Sequence, residues 1–178
     1  GKICPTDELD NRFCPGYFGH IELIKPVCHY QFLDITMKTL KSYCIRCSSI
    51  LLNKDDEIEK QNIKKILKLK NKRRWNYYYP IVSKQRNCFN CGFVQPTKFS
   101  KEGVAKIYGE WKETQTKEHL SAERILRIFR KISNEDLSLL GFSEEWCKPE
   151  WLICTILPVC PPAVRPSIKQ MNGQRSED

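Results

Sequence analysis

The chain has 178 residues, of which 40% are apolar and 29% are charged, a balance typical of folded proteins and not of disordered ones. The longest apolar run, Trp151–Leu157, is far too short to cross a bilayer, so we expect no membrane partner. The net charge of +9 is concentrated, because residues 60–74 contain eight basic side chains and no acidic one.

Residues 1–70 are predicted to contain a loop, an extended stretch and two helices. Residues 20–24 are predicted to be extended and to end at Pro26, because proline interrupts regular pairing. Residues 29–41 are predicted to be helical. Between residues 55 and 70, apolar side chains share one half of a helical wheel and lysines share the other, which predicts an amphipathic helix.

The middle of the chain carries weaker signals. Residues 75–82 are rich in aromatic side chains and are predicted to be a strand or an exposed connector. Residues 92–112, which are interrupted by Gly103 and Gly109, are predicted to form short strands and turns. The prolines that follow residue 157 predict an extended segment, because proline lacks the N–H group that a helix requires.

The clearest helical pattern begins after Ser121, a suitable N-cap. Apolar side chains recur there at i, i+3, i+4 and i+7, and basic side chains face away. These apolar positions are Ile125, Ile128, Phe129 and Ile132. A second short helix is predicted to begin at Ser133, with Asp136 in the capping-box position, and to end at Gly141. Helices and short antiparallel strands together predict an α+β fold.

Two Cys-x-x-Cys pairs, Cys44 with Cys47 and Cys88 with Cys91, are the most specific chemical feature. Each such turn directs two sulfurs at a centre about 2.3 Å away, and two turns complete the tetrahedron that zinc prefers. We predict one structural Zn²⁺, because four thiolates leave no open position for catalysis. Redox-active pairs and ordinary buried thiols stay open as alternatives. The isolated cysteines are predicted to pack in the core: Cys28, Cys147, Cys154 and Cys160.

The basic segment is a candidate nucleic-acid surface, because rows of lysine and arginine release condensed counterions when they bind phosphates. The predicted nucleic-acid-proximal residues are Lys68, Lys70, Lys72, Arg73 and Arg74. The aromatic residues that follow could stack on bases. A solvated helix face beside packed aromatics is the alternative interpretation. No base-reading motif is visible, so contacts would be made with the nucleic-acid backbone.

Motifs of catalytic centres do not occur in this sequence. It has no glycine-rich phosphate loop, no His-Glu-x-x-His motif and no paired-carboxylate motif. We therefore predict no catalytic residue in this chain.

Three stretches, in this order, resemble one protein family: residues 14–23, residues 88–96 and residues 125–167. They contain Cys-Pro-Gly-Tyr-Phe-Gly-His-Ile-Glu-Leu, Cys-x-x-Cys-Gly-x-x-Gln-Pro, and a final Leu-Pro-Val-x-Pro-Pro-x-Val-Arg-Pro-Ser. The chain resembles the N-terminal part of the largest subunit of multisubunit DNA-directed RNA polymerase, of the eukaryotic RNA polymerase II type. The resemblance covers essentially the whole chain and implies a fragment of a much longer subunit.

The resemblance implies that the fragment belongs to the clamp, the mobile element that closes over DNA and the RNA–DNA hybrid. Residues 1–32 and 159–178 would belong to a zinc-stabilised, irregular clamp core. Residues 33–158 would form a mostly helical clamp head with small antiparallel strands. The implied partners are the DNA template, the RNA–DNA hybrid and the other polymerase subunits, especially the second-largest.

The resemblance also implies that the whole subunit is a nucleotidyltransferase whose magnesium-binding aspartates lie outside this fragment. Zn²⁺ is therefore the cofactor expected here, and Mg²⁺ is expected only in the full enzyme. A cellular enzyme would act in the nucleus, and a large DNA virus would carry it in the virion or use it in host cytoplasm. A free-standing zinc module that binds nucleic acid or protein stays open as an alternative.

The second zinc of the family falls on the four cysteines named above, and the first falls on a degenerate loop. The family pattern Cys-x2-Cys-x6-Cys-x2-His places its four ligands at Cys4, Asp7, Cys14 and Tyr17 in this chain. Tyrosine rarely binds zinc, and His20 is not the matching ligand, so we expect no metal in this loop. A second zinc held by Cys4, Asp7, Cys14 and His20 stays open as an alternative, because aspartate can bind zinc. We expect packed aromatic rings to replace the ion: Phe13, Tyr17 and Phe18.

Overall fold

Short helices and short antiparallel strands make up the computed structural model, which confirms the predicted α+β class. The structure describes residues 3–10, 12–165, 167–169 and 175–177. The chain divides into two units, one of residues 1–24 with 155–178 and one of residues 25–154. The clamp boundaries expected at residues 32 and 158 stay a prediction. No helix in the described part of the chain has both the length and the apolar composition of a membrane span.

Two short sheets contain the strands near the two chain ends. Strands β1 (Gly19–Cys28) and β5 (Ile153–Val159) form one two-stranded sheet. Strands β6 (Ser167–Lys169) and β7 (Arg175–Glu177) form the other, and they are antiparallel. The prediction that β1 would end at Pro26 is wrong. Each strand of a two-stranded sheet has a free edge, where a proline removes no ladder hydrogen bond.

The first two α-helices confirm their sequence patterns. Helix α1 (Leu33–Leu40) follows a single 3₁₀ turn, and helix α2 (Glu57–Ile66) is shorter than predicted. The side chain of Asp56 caps α2 by accepting a hydrogen bond of 2.9 Å from the Ile58 backbone N–H. Ile66 is the buried end of the apolar face of α2.

Helix α3 (Asn71–Val82) shows that the predicted strand or connector at residues 75–82 is wrong. Its aromatic side chains are spaced for a helix. Trp75 and Tyr79 stack with ring centroids 5.0 Å apart, and four-residue spacing also places Tyr78 and Val82 together in the core. Packing of these two faces outweighs the strand preference of aromatic residues.

A three-stranded antiparallel sheet confirms the short strands predicted within residues 92–112. Its order is β2 (Lys98–Glu102), β3 (Lys106–Trp111) and β4 (Thr116–Leu120). Strand β4 has no recognisable sequence pattern, because only Leu120 in that strand is buried and no apolar alternation results.

Helices α4 (Ala122–Arg130) and α5 (Asn134–Leu139) confirm the two predicted helices and their caps. Ser121 and Ser133 each accept a hydrogen bond from the backbone N–H three residues later, at 3.2 Å and 3.3 Å. The second half of the predicted capping box is wrong. The Asp136 carboxylate does not turn back to the cap, because it is buried and serves the cysteine turn described below.

The core of residues 25–154 joins the helices to the three-stranded sheet. Tyr43, Tyr78 and Ile107 are fully buried in it, together with side chains from α4 and α5. Cys28 packs in the core as predicted, but the same prediction for Cys147 is wrong, because that side chain is exposed. Two of the isolated cysteines are half-buried: Cys154 and Cys160.

Candidate metal centres and basic surface

Three turns in the chain share one backbone geometry: residues 4–9, 44–49 and 88–93. We call them the first, second and third turns. In each, the N–H of the opening cysteine donates to the carbonyl five residues later, at 2.9, 2.9 and 3.0 Å. The N–H four residues after the cysteine donates back to its carbonyl, at 2.9 Å in all three.

The fifth residue of each turn lies in the left-handed region of backbone conformation. The φ angles are 58° at Glu8, 64° at Ser48 and 69° at Gly92. A short antiparallel bridge flanks each turn. Such a turn brings the side chains of its first and fourth residues toward one centre, which is the geometry of a metal-binding knuckle.

The second and third turns bring together the four cysteines predicted as metal ligands. Their sulfurs all lie within 4.8 Å of one another. The Cys44 and Cys91 sulfurs are 3.6 Å apart, and those of Cys47 and Cys88 are 3.5 Å apart. A tetrahedron with metal–sulfur bonds of about 2.3 Å has edges of about 3.8 Å. The cluster can therefore hold one metal ion with only a slight adjustment.

Hydrogen-bond donors surround these sulfurs, as they do around thiolates. The backbone N–H groups of Arg46 and Cys47 point at the Cys44 sulfur, at 3.4 and 3.5 Å. The Asn90 side chain points at the Cys47 sulfur at 3.7 Å. Such donors stabilise the charged form of a ligand. The donor set therefore fits a metal bound by thiolates.

Gln95 is a site residue that the sequence analysis missed. Its amide is buried, accepts a hydrogen bond of 3.1 Å from the Ile45 N–H and donates one of 3.2 Å to the Cys44 sulfur. The same amide nitrogen donates to the Phe93 carbonyl at 2.9 Å, so one side chain joins the second and third turns. The available signal was a polar residue four positions after Cys91, between Val94 and Pro96.

Replacing Gln95 with alanine is expected to lower metal affinity about 10- to 100-fold, because the loss of an outer hydrogen bond to a ligand typically costs that much. Competition with a chromophoric chelator measures this change. The matched control is Gln85→Ala, since within the described chain the Gln85 side chain donates only to the Asn87 carbonyl, at 3.1 Å. Equal affinities for the two variants would contradict a role for Gln95 at the sulfur.

Burial and hydrogen bonding act in opposite directions on the cysteine pKa values. Burial raises the pKa of Cys88 to about 12 and also raises the pKa of Cys44. Burial opposes ionisation of Cys47 too, but hydrogen bonds with Ser49, Cys91 and Cys88 together outweigh it and lower the pKa of Cys47 to about 6. A metal must therefore displace protons at neutral pH, so acid weakens its binding.

Asp136 on α5 stabilises the second turn through contacts with residues next to it. Its carboxylate accepts a hydrogen bond of 3.0 Å from the Ile50 N–H and pairs with the Lys54 ammonium. Its backbone carbonyl accepts a bond of 3.1 Å from the Tyr43 hydroxyl. Tyr43 and Ile50 are the two residues that flank the second turn. The helix thus fixes both ends of that turn.

The first turn has Asp7 where the other two turns have their second cysteine. Cys4, Asp7 and Cys14 bring their ligand atoms within 4.8 Å of one another, and His20 is not in this group of described residues. The Tyr17 hydroxyl donates to one Asp7 oxygen at 3.1 Å, and the Leu9 N–H donates to the other at 3.0 Å. The pKa of the Asp7 carboxylate is lowered to about 2. The Cys14 thiol has the largest effect on this pKa, and the Leu9 N–H has the second largest lowering effect.

The expectation that aromatic rings pack together in the first loop is wrong. The residue surfaces are 74% exposed for Phe13, 51% for Tyr17 and 68% for Phe18. Hydrogen bonds hold this loop instead, because its sequence places polar and turn-forming residues around each ring and leaves no apolar interior for them to fill.

Six exposed cations run from α2 into α3, and we call them the basic surface. They are Lys64, Lys65, Lys68, Lys70, Lys72 and Arg73. Within the described residues, no carboxylate lies within salt-bridge distance of any of them. Lys60 differs, because it pairs with Glu57 at 2.7 Å. The basic surface therefore presents its charge to solvent.

Arg74 differs from the other predicted nucleic-acid residues. Its guanidinium donates to the carbonyls of Leu69 at 2.8 Å and Ser138 at 3.0 Å, and also to that of Leu67. These three bonds close the turn between α2 and α3 and join it to α5. The geometry gives Arg74 a structural role, and it leaves Lys68, Lys70, Lys72 and Arg73 exposed as predicted contacts.

The arginines of α4 show the opposite arrangement to the basic surface. Arg124 pairs with Glu118, Arg127 pairs with Glu123 at 3.3 Å, and Arg130 pairs with Glu150 at 3.1 Å. Each positive charge there has a nearby negative partner. The basic surface and α4 thus differ in the charge that they offer to a polyanion.

An α+β domain whose distant turns meet in a four-cysteine cluster belongs to the class of proteins that can hold a metal ion between two cysteine turns. The chain belongs to the family RNA polymerase Rpb1, domain 1, whose sequence profile matches residues 2–178. It is 36% identical over 185 residues to DNA-directed RNA polymerase subunit Rpo1N of Methanocaldococcus jannaschii. That alignment covers 100% of this chain and 13% of the relative.

The predicted resemblance to the N-terminal region of the largest polymerase subunit is confirmed at the level of the family. The relative is archaeal, so it does not support the finer prediction of a eukaryotic RNA polymerase II type. The chain spans about an eighth of the length of that relative.

Proposed function

We propose that this chain is the clamp portion of the largest subunit of a DNA-directed RNA polymerase, where it closes over DNA and the RNA–DNA hybrid. The observation that carries the proposal is the family match over residues 2–178, together with a relative named as a DNA-directed RNA polymerase subunit. In this proposal the subunit is part of a nucleotidyltransferase whose catalytic magnesium is held elsewhere.

Zn²⁺ bound by Cys44, Cys47, Cys88 and Cys91 is the proposed cofactor of this portion. A zinc ion held by four thiolates has a closed coordination sphere and supplies rigidity instead of chemistry. The two turns that would hold it stand at the two ends of the segment 50–87, which carries α2 and α3. Fixing both ends of this segment limits how far the basic surface can move.

The basic surface is the proposed contact with nucleic acid. Six solvent-facing cations without carboxylate partners in the described part of the chain can replace condensed counterions around phosphates. Their charges need not break an existing ion pair first, whereas the arginines of α4 would have to. The contact would be independent of base sequence, because lysine rows position a nucleic-acid backbone and do not read base edges.

Replacing Lys68, Lys72 and Arg73 with alanine in the full subunit is expected to weaken DNA retention by the assembled polymerase. The slope of log K against log salt concentration is negative, and each lost phosphate contact reduces its magnitude by about 0.9. The magnitude should therefore decrease by roughly 1 to 3. Nitrocellulose retention or fluorescence anisotropy at several salt concentrations measures it.

The control for this experiment is the double variant Arg124→Ala, Arg127→Ala, which removes paired cations from α4. Its salt slope should match that of the parent. An unchanged slope in the triple variant, or equal changes in both variants, would place the DNA contact elsewhere and contradict the proposed role of the basic surface.

The subunit role itself predicts a set of partners. We propose the second-largest subunit as the main protein partner, with DNA and the hybrid in the cleft between them. A tagged chain should co-purify with that subunit and with an activity that synthesises RNA on a DNA template. The source would be the nucleus of a cell, or the virion or host cytoplasm for a large DNA virus. Recovery of the tagged chain alone would contradict this proposal.

A further inference from the structure

The first turn has the backbone of a metal-binding knuckle but a different centre. We infer that the Asp7 carboxylate takes the place of a metal ion there, so that hydrogen bonds from Tyr17 and Leu9 close the loop without any metal. The inference starts from a comparison inside this chain. The first turn repeats both backbone hydrogen bonds and the left-handed fifth residue of the second and third turns.

Asp7 is the point on which the donors of the loop converge. Leu9 donates from the backbone to Oδ1 at 3.0 Å, and Tyr17 donates from its hydroxyl to Oδ2 at 3.1 Å. One anion thus collects two donors from two parts of the loop. A metal site is the reverse arrangement, with one cation and several anionic ligands.

The ligand set of the loop is poorly suited to a tightly bound zinc ion. Zinc in structural sites takes four ligands from thiolates and imidazoles, and here only Cys4 and Cys14 belong to those types. The fourth position is the Tyr17 phenol, whose proton is already directed at Asp7. Both carboxylate oxygens accept hydrogen bonds, so binding a metal would have to disrupt this arrangement.

The sulfurs of the four-cysteine cluster have different surroundings from those in the first turn. Each sulfur of the cluster has a cysteine partner in the other turn, and a buried amide from Gln95 supports the group. Around the Cys14 sulfur, the Gly16 N–H at 3.4 Å is the backbone donor, and no second knuckle faces it within the described residues. The two loops share a backbone but differ in the charge of their centre.

Metal analysis of single variants in the full-length subunit tests the inference. The zinc content of each variant is compared with that of the parent, so metal bound elsewhere in the subunit cancels. Cys4→Ser is expected to leave the zinc content unchanged, whereas Cys88→Ser is expected to lower it by one ion per chain. Inductively coupled plasma mass spectrometry of the purified proteins gives both values. A loss of one zinc in Cys4→Ser would overturn the inference.

A gain of metal tests the same inference from the opposite side. The double variant Asp7→Cys, Tyr17→His restores thiolate and imidazole ligands to the knuckle backbone and is expected to add one zinc per chain. The control Asp7→Asn, Tyr17→Phe removes the charged centre without adding ligands and should gain none. If the first double variant also gains none, residues 4–17 do not have a knuckle backbone and the inference fails.

Limited proteolysis gives a readout that does not depend on metal. Asp7→Asn, Tyr17→Phe should expose the bond after Arg12 to trypsin several-fold faster, because the loop loses its closing hydrogen bonds. A chelator should not accelerate cleavage at this position in the parent protein. Faster cleavage of the parent on chelation would show that a metal closes the loop and would overturn the inference.

Discussion

Replacing Cys88 with serine is expected to abolish metal binding at the four-cysteine cluster and to destabilise residues 25–154 by more than about 4 kcal/mol. Cys88 is 3% exposed, and its sulfur lies 3.5 Å from that of Cys47, so a serine hydroxyl would leave an incomplete and buried ligand set. Because the binding free energy of a structural zinc is part of the folding free energy, losing the ion unfolds the scaffold that it joins. Urea unfolding with parallel metal analysis measures both effects.

Cys147→Ser is the matched control for this experiment. Cys147 is exposed and belongs to neither cysteine group of the described chain, so the same atomic change should alter stability by less than about 0.5 kcal/mol. If Cys88→Ser keeps its zinc and unfolds at the parent urea concentration, the cluster is not a structural metal site. The proposed support of the basic surface would then be lost as well.

Local chemistry made the four-cysteine cluster predictable from sequence. A Cys-x-x-Cys turn fixes the direction of two sulfurs within six residues, so two such turns imply a common centre even without knowing the chain path between them. Helices α2 and α4 were predictable for a related reason. Their apolar side chains recur with the period of a helix, and a serine or aspartate cap precedes each one.

Residues whose role depends on a distant partner were not predictable. Gln95, Arg74 and Asp136 each act through contacts with segments 50 or more residues away, and sequence neighbours do not predict such contacts. Helix α3 was missed for the same reason. Its aromatic residues favour a strand locally, and only the packing of Trp75 and Tyr78 in the assembled core selects the helix.

In the loop of residues 4–17, comparison with the zinc-ligand pattern of the family correctly predicts which ligands are missing, but not what replaces them. Asp7 and Tyr17 do depart from the ligand pattern of the family, but the exposed aromatic rings do not replace the missing ligands. The two substituted residues instead contact each other across the loop, at 3.1 Å. Paired departures at two positions of one site are a signal for mutual compensation, and that signal was available in the sequence.

Replacing Gly141 with alanine is expected to destabilise the protein by about 3 to 5 kcal/mol. Gly141 has a φ of +85°, and its N–H and that of Phe142 cap α5 through the carbonyls of Ser138 and Leu137, at 3.1 and 3.0 Å. A side chain at this φ costs about 1 to 3 kcal/mol by itself. The added Cβ would also collide with the backbone carbonyl of Asn71, which must move. Thermal or chemical unfolding measures the loss.

Gly103→Ala separates these two costs, because Gly103 also has a positive φ, +60°, but no atom within 4 Å of the added Cβ. It should lose only the backbone part, about 1 to 3 kcal/mol, and the difference between the variants measures the collision at Asn71. Asn71 opens α3 directly before Lys72 and Arg73, so Gly141→Ala should also weaken DNA retention, whereas Gly103→Ala should not. Equal destabilisation by the two substitutions would show that α5 does not pack against the start of α3, and the fixed position argued for the basic surface would fail with it.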